Sequence, residues 1–362
     1  MRYYLNANST NFTPRRLFIP TIMRRQTCSY LILAALTLHV SFAYVVLPRR
    51  STALEAYKSE PEPLARQVRV VSPLATLASL FFAPHDAQAS AKVSGFESAV
   101  QQYFPGARSS SVVALRVIAA LRKRDYRPSN TLLGSSVCSD EINETPKALV
   151  QQLENKLGKT GAVFHLGGLG GLPFVGTSGM GAFVSHSPQN GKLLIMFGPH
   201  VGISESGELG KVMRAGMQNE SASCGAAMAA YKAIAAGLTT TKNKSNFDFQ
   251  EDYIKDKLKK KLGTLAGKEA QGGDDTIALV TRNMYDLVWD LIKIEVDSVT
   301  SKADFWKNIS EVTLLGGIII NRSALGGEDY FQPLVMKSMN SQGELSLYDE
   351  VFGDLVTLSN KV

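Results

Sequence analysis

"GKLLIMFGPHVG", residues 191–202, decides the fold. Leu193 to Phe197 are apolar without a break. A strand with one wet face alternates apolar and polar side chains; a strand buried on both faces does not, and such strands belong to parallel sheets covered by helices. Gly198 and Pro199 punctuate the run, so the strand is expected to end at Pro199-His200. "EVTLLGGIIINR" (311–322) has the same character and predicts a second buried strand.

The segments around these two strands read mostly as helices. "FESAVQQYF" and "SVVALRVIAALRKR" carry apolar residues at i, i+3, i+4 and i+7, and Pro128 and Asn130 end that region. "NTLLGSSVCSD" predicts a short strand ending at Cys138. "TPKALVQQLENKLG" predicts a helix capped by Thr145, with Pro146 in its first turn and Gly158 as its stop. "GAVFHLGGLGGLPF" starts as a strand and becomes a glycine-rich turn. "SASCGAAMAAYKAIAAGL" is an Ala-rich helix capped by Ser221 or Ser223, and "DDTIALVTRNMYDLVWDLIKIEVDSV" a long amphipathic one. "EDYIKDKLKKKLG" (251–263) is a solvated helix face rather than a nucleic-acid patch. Strands alternating with helices mean an α/β fold with a largely parallel sheet, here in one domain over residues 90–362.

The net charge of +7 does not argue for nucleic acid. Ten Arg or Lys and four acids fall in residues 1–89, which leaves the body nearly neutral. That basic N-terminus reads as addressing. "SYLILAALTLHVSFA" (29–43) follows Arg24-Arg25 and fits a signal-peptide core over residues 1–43. Residues 44–69 are transit-like, with no helical or strand period. "VVSPLATLASLFFA" (70–83), followed by "AQA" at 87–89, reads as a second, lumenal targeting segment over residues 70–89. The layering resembles that of algae with complex plastids and predicts a plastid protein, in the thylakoid lumen, with stroma or pyrenoid region as the alternative. A single signal peptide followed by an apolar stretch of the mature chain is the simpler reading. Neither run is placed as a permanent membrane anchor.

Without residues 1–89 the cysteines are Cys138 and Cys224, and the histidines His165, His186 and His200. Cys138 is expected at the end of one strand, His200 at the end of another, and Cys224 in the first turn of a helix. Open parallel sheets bind ligands beyond the carboxyl ends of their strands. A helix N-terminus favours thiolate. Two cysteines and one histidine with a fourth position open are a catalytic zinc arrangement, because a structural site closes with four protein ligands. Two buried thiols with an unrelated loop histidine fit the spacing equally, and a disulfide is a third possibility.

Several motifs in order resemble one family: "CSDEIN", "FHLGGLGGLPFVGTSGMGAFVSHSP", "GPHVGI", "SASCGAA" and "GGIIIN". They are similar to the limiting-CO2-inducible B/C family, which includes the theta-class carbonic anhydrases, over roughly residues 95–355. The resemblance implies a beta-carbonic-anhydrase-like fold, a homodimer, and zinc held by Cys138, His200 and Cys224. It implies reversible hydration of CO2 to bicarbonate and a proton through zinc-bound hydroxide, in support of photosynthetic CO2 supply. It also implies that Asp140 belongs to the catalytic apparatus, which accounts for acids beside Cys138: a dication neutralises the site.

Beta-class enzymes pair this aspartate with an arginine closely following it, and residues 141–144 are Glu, Ile, Asn and Glu. Arg214, ten residues before Cys224, is the substitute that chain position offers. The missing arginine keeps open a catalytically silent zinc-binding member, a scaffold or regulator in CO2 acclimation. A cysteine hydrolase using Cys224 with His200 as base is a further alternative. His186 is either a proton shuttle or a structural histidine; His165 is expected in the core. "GGLGG" (167–171) matches neither a dinucleotide fingerprint nor a Walker A loop, so its glycines are read as a tight turn, with Leu169, Leu172 and Phe174 lining an apolar pocket for CO2.

Overall fold

The structure is a computed structural model that describes residues 94–158, 163–236, 247–262, 273–323 and 327–359. The targeting segments predicted over 1–89 lie outside the described residues.

The elements run α1 (Gly95–Tyr103), β1 (Arg108–Ser109), α2 (Ser110–Lys123), β2 (Thr131–Ser136), a 3-10 turn (Glu141–Glu144), α3 (Leu149–Leu157) and β3 (Phe164–His165). Then come α4 (Gly176–Ser185), β4 (Gly191–Phe197), β5 (His200–Ile203), β6 (Lys211–Val212), β7 (Ser221–Ala222) and α5 (Gly225–Ala235). The chain continues through α6 (Phe249–Leu262), α7 (Asp274–Thr300), α8 (Phe305–Asn308), β8 (Ile309–Arg322), β9 (Tyr330–Asn340), β10 (Gly343–Ser346) and α9 (Tyr348–Ser359).

One sheet has the order β1-β9-β8-β4-β2-β3. β3, β2, β4 and β8 are parallel, and β5 adds a second parallel partner to the later half of β8. β9 pairs antiparallel with β8 and carries β1 and β10 on its other side. The sheet is buried on both faces, as the unbroken apolar runs require. Leu193, Ile195 and Phe197 point into a cluster shared with α5, α6 and α7; Leu194 and Met196 point into one shared with α2, α3 and α9. Phe197 stacks on Trp289 of α7 at 5.4 Å between ring centres.

Several boundaries differ from the sequence reading. β4 stops at Phe197, so His200 opens β5 rather than closing β4. The break is at Gly198, whose φ is 153° and where a Cβ would lie 1.7 Å from the Gly317 carbonyl oxygen. The chain there is pressed against β8, and only glycine fits. The third helix starts at Leu149, because Thr145 is spent in a turn that accepts the Ala148 N–H. α5 is capped by Cys224 itself, not by Ser221 or Ser223. Strand β9, absent from the sequence reading, contains Pro333, which sits at the register shift beside Gly316 and Gly317 and so costs no ladder bond. Among the described residues no helix is long and apolar enough to cross a membrane.

Candidate metal centre

Cys138, His200 and Cys224 converge beyond the carboxyl ends of β2 and β4. Each comes from a different element, as expected where a parallel sheet opens to a ligand. Cys138 lies two residues past β2. The "GGLGG" turn folds over it, and the Gly170 N–H points at its Sγ from 3.3 Å. Gly170 has φ 67°, and a Cβ there would collide with Met284 at 2.3 Å, so this turn is built to approach the sulfur. No phosphate cradle is needed to explain it. Cys224 caps α5, where the helix N-terminus favours a negative sulfur.

The three side chains are buried, and their ligand atoms lie within 4.8 Å of one another. The two sulfurs are 3.8 Å apart and both cysteines are free. Two bonds of about 2.3 Å at a tetrahedral angle put sulfurs about 3.8 Å apart. Two thiolates and one imidazole form a donor set that suits zinc, and iron–sulfur clusters need more cysteines. His200 Nε2 is buried without a hydrogen-bond partner, while Nδ1 lies 2.6 Å from Asn321 Oδ1. An imidazole nitrogen left bare in the interior is costly unless a ligand takes it. The residues present therefore fit a zinc ion.

The thiols are already unequal. Cys224 is held low by the Cys138 S–H and, against its burial, by the Ala227 and Ala226 N–H groups. Cys138 is pushed up by Cys224 and by burial. A bound dication would displace the thiol protons.

Asp140 stands at the edge of the trio, its Oδ2 3.8 Å from His200 Nε2. Arg214 grips it bidentately, at 2.6 Å from Nη1 to Oδ1 and 2.8 Å from Nη2 to Oδ2. Burial works to raise the Asp140 carboxyl, but the guanidinium and neighbouring charges prevail and leave it at about 2. Asp140 also faces the Ile142 N–H at 3.5 Å as cap of the 3-10 turn, so cap and ion-pair partner are one group. The ribbon of β6 and β7 folds Arg214 back across 74 residues of chain. Its Nε donates to Ser221 Oγ at 2.7 Å and its Nη2 to the Ala222 carbonyl at 3.1 Å, while Glu141 shares Nη1 at 2.6 Å. A cleft of about 390 Å³, lined by Glu141, Ile142, Met213, Arg214, Arg322 and Asp329 among others, opens on this side.

The family model of the limiting CO2-inducible proteins B/C, beta carbonic anhydrases, matches residues 107–340. The chain belongs to that family. The structure of PtLCIB4, a homologue of the limiting CO2-inducible protein LCIB, is 31% identical with a TM-score of 0.60, covering 69% of this chain and 98% of its own. The structure of LCIB itself, at 17% identity and TM-score 0.52, covers 68% of this chain and 95% of its own, and shares the fold. The comparison with curated proteins finds no match.

Other residues singled out in the sequence fall elsewhere. His186 caps α4, exposed, with its ring 5.6 Å from Phe164 and just ahead of β4. It stands by the start of β4, whereas Cys138, His200 and Cys224 gather past its end. His165 is not a core residue: its side chain is 65% exposed and lies 4.0 Å from Glu144. Leu172 is fully buried in the core, and Phe174 packs edge-on against Phe249 and Tyr253 of α6. Leu169 is half-buried, its N–H bound to Gln250 Oε1 at 2.9 Å. These three side chains thus contact protein, where the sequence reading had them lining a pocket. Asn321, Asn143, Ser223 and Gln250 were missed. Asn321 carried a signal: one amide ending the apolar run of β8.

Proposed function

We propose that this protein is a zinc carbonic anhydrase that interconverts CO2 and bicarbonate. One observation carries the reading: the pair of sulfurs 3.8 Å apart and the bare His200 Nε2 face a carboxylate that Arg214 holds in place. When bound, zinc lowers the pKa of water to about 7 and so makes a nucleophile available at neutral pH.

The chain's own groups do the rest. Asp140 is ionised at every physiological pH, so it only accepts hydrogen bonds. It would accept a hydrogen bond from the attacking oxygen and so turn that oxygen's lone pair toward CO2. With a carboxyl near 2 it cannot hold the proton that leaves, so it orients and does not act as the base. Arg214 binds both carboxylate oxygens, which keeps Asp140 from swinging onto the metal and closing the fourth position. This arginine fills the role of the one missing after Asp140. The plastid location and the homodimer belong to the same reading.

Stopped-flow CO2 hydration with zinc analysis on the same sample tests it. One zinc per chain with hydration far above background is expected. One zinc per chain without hydration would mean the silent, regulatory member. Iodoacetamide labelling of Cys224 with activity that survives chelators would mean a cysteine hydrolase.

A further inference from the structure

We infer that Asn321 is the positioning residue that fixes which nitrogen of His200 is offered to the metal, and that Asp329 and Asn143 fix Asn321. The inference rests on the zinc reading for its consequence, but its structural half does not.

The direction of every bond follows from the groups at the far end. Asp329 is buried; burial raises its carboxyl to about 6, so near neutrality it is ionised and can only accept. Its Oδ1 takes the Arg322 N–H at 2.9 Å and its Oδ2 faces Asn321 Nδ2 at 3.4 Å. Asn143 Nδ2 donates to the carbonyls of Cys138 and Asp140, at 3.2 and 3.3 Å. Asn143 Oδ1 is therefore free to accept, and it takes Asn321 Nδ2 at 3.3 Å. Both constraints turn the Asn321 amide nitrogen away from His200 and its oxygen toward it. At 2.6 Å from that oxygen, His200 Nδ1 must carry the proton. Ser223 Oγ, 3.2 Å from Nδ1 and 3.4 Å from Asn321 Oδ1, fits the same polarity. Nε2 is then the lone-pair nitrogen, the one left without a partner.

The network does a second job. Asn143 holds the backbone on both sides of Ser139, so one chain of amides sets the Cys138–Asp140 segment and the His200 ring together. Partners in this position usually change metal affinity tenfold to a hundredfold when removed.

The test uses the full-length protein as purified, with zinc content measured on each sample. Long-range 1H–15N NMR of the imidazoles at mildly alkaline pH, with His200→Gln for assignment, should show the proton on Nδ1 of His200. With zinc removed from both proteins, Asn321→Leu should lose the signature that the wild type keeps, and it should bind Zn2+ at least tenfold more weakly against a competing chelator. Asn321→Asp keeps the acceptor toward Nδ1 but sets an oxygen against Asp329 and Asn143 Oδ1, so it should keep the Nδ1 proton while binding Zn2+ more weakly than the wild type. A proton on Nε2 in the wild type overturns the inference. So does an Asn321→Leu protein with native circular dichroism and unchanged Zn2+ affinity. If Asn321→Leu does not fold, the wild-type tautomer and the Asn321→Asp tautomer decide: loss of the Nδ1 proton in the latter overturns the inference. A wild type with the Nδ1 proton but no zinc supports the network and sinks the zinc reading.

Discussion

The two ends of the parallel sheet carry charge in opposite ways. At the amino end, Glu311 opens β8 under Arg124 at 2.6 Å and Lys192 at 2.9 Å, with Ser338 donating to it as well. Nearby, Tyr126 and Thr313 share a buried hydroxyl pair at 2.7 Å. At the carboxyl end, Asp140 has Arg214, but His200 Nε2 has no hydrogen-bond partner and faces two sulfurs 3.8 Å apart. Saturated polar clusters stabilise; unsaturated ones bind. The same chemistry thus separates into a structural end and a site.

The largest expected effect breaks the site alone. His200→Ala should lower CO2 hydration at least about a thousandfold and abolish stoichiometric zinc, with the fold retained by circular dichroism. Glu311→Gln should break the other end alone. It leaves the half-buried Arg124 and Lys192 underpartnered and should cost about 2 kcal/mol of unfolding free energy in urea, with zinc content unchanged. If Glu311→Gln instead lost zinc, the two ends would not be independent.

Acidity should separate the ends in sign. Burial opposes the Glu311 charge, but Ser338, Lys192 and Arg124 prevail and hold its pKa below the ordinary glutamate value. Its contribution is present above that ordinary value and is lost as pH falls through the lowered one. Asp329, raised to about 6, works the other way: it lowers stability as pH rises from about 4 to about 6, by roughly 2–3 kcal/mol. Asp329→Asn should therefore shift the change in stability from about pH 4 to about pH 6 upward, by roughly 2 kcal/mol relative to the wild type. A change equal to that of the wild type would show that Asp329 titrates normally.

Smaller effects sharpen the site. Arg214→Lys keeps the charge and loses the bidentate grip, so hydration should fall about tenfold at unchanged zinc content. His186→Ala should change hydration less than about twofold, because His186 stands by the start of β4. A large loss there would restore it as a proton shuttle.

Much of this was legible in the sequence. The apolar runs at 193–197 and 314–320 announced doubly buried strands, and the sequence placed Cys138 and His200 at strand ends and Cys224 at a helix start. β9 stayed hidden because Pro333 breaks the strand pattern, and only the bulge in β8 makes room for it. Chain position pointed to Arg214 as the partner of Asp140, but the contact is made by the β6–β7 ribbon, whose fold no spacing rule gives. The polarity of the Asn321 network needs three partners in space, so no single stretch could give it.

The central claim is that two sulfurs and His200 Nε2 hold zinc with one position open to solvent. Zinc K-edge X-ray absorption of the full-length protein tests it directly. Two sulfurs at about 2.3 Å and two nitrogen or oxygen neighbours at about 2.0 Å are predicted, one of the latter exchangeable with an added anion. A single sulfur neighbour, or a fully protein-ligated shell that no anion enters, would contradict it.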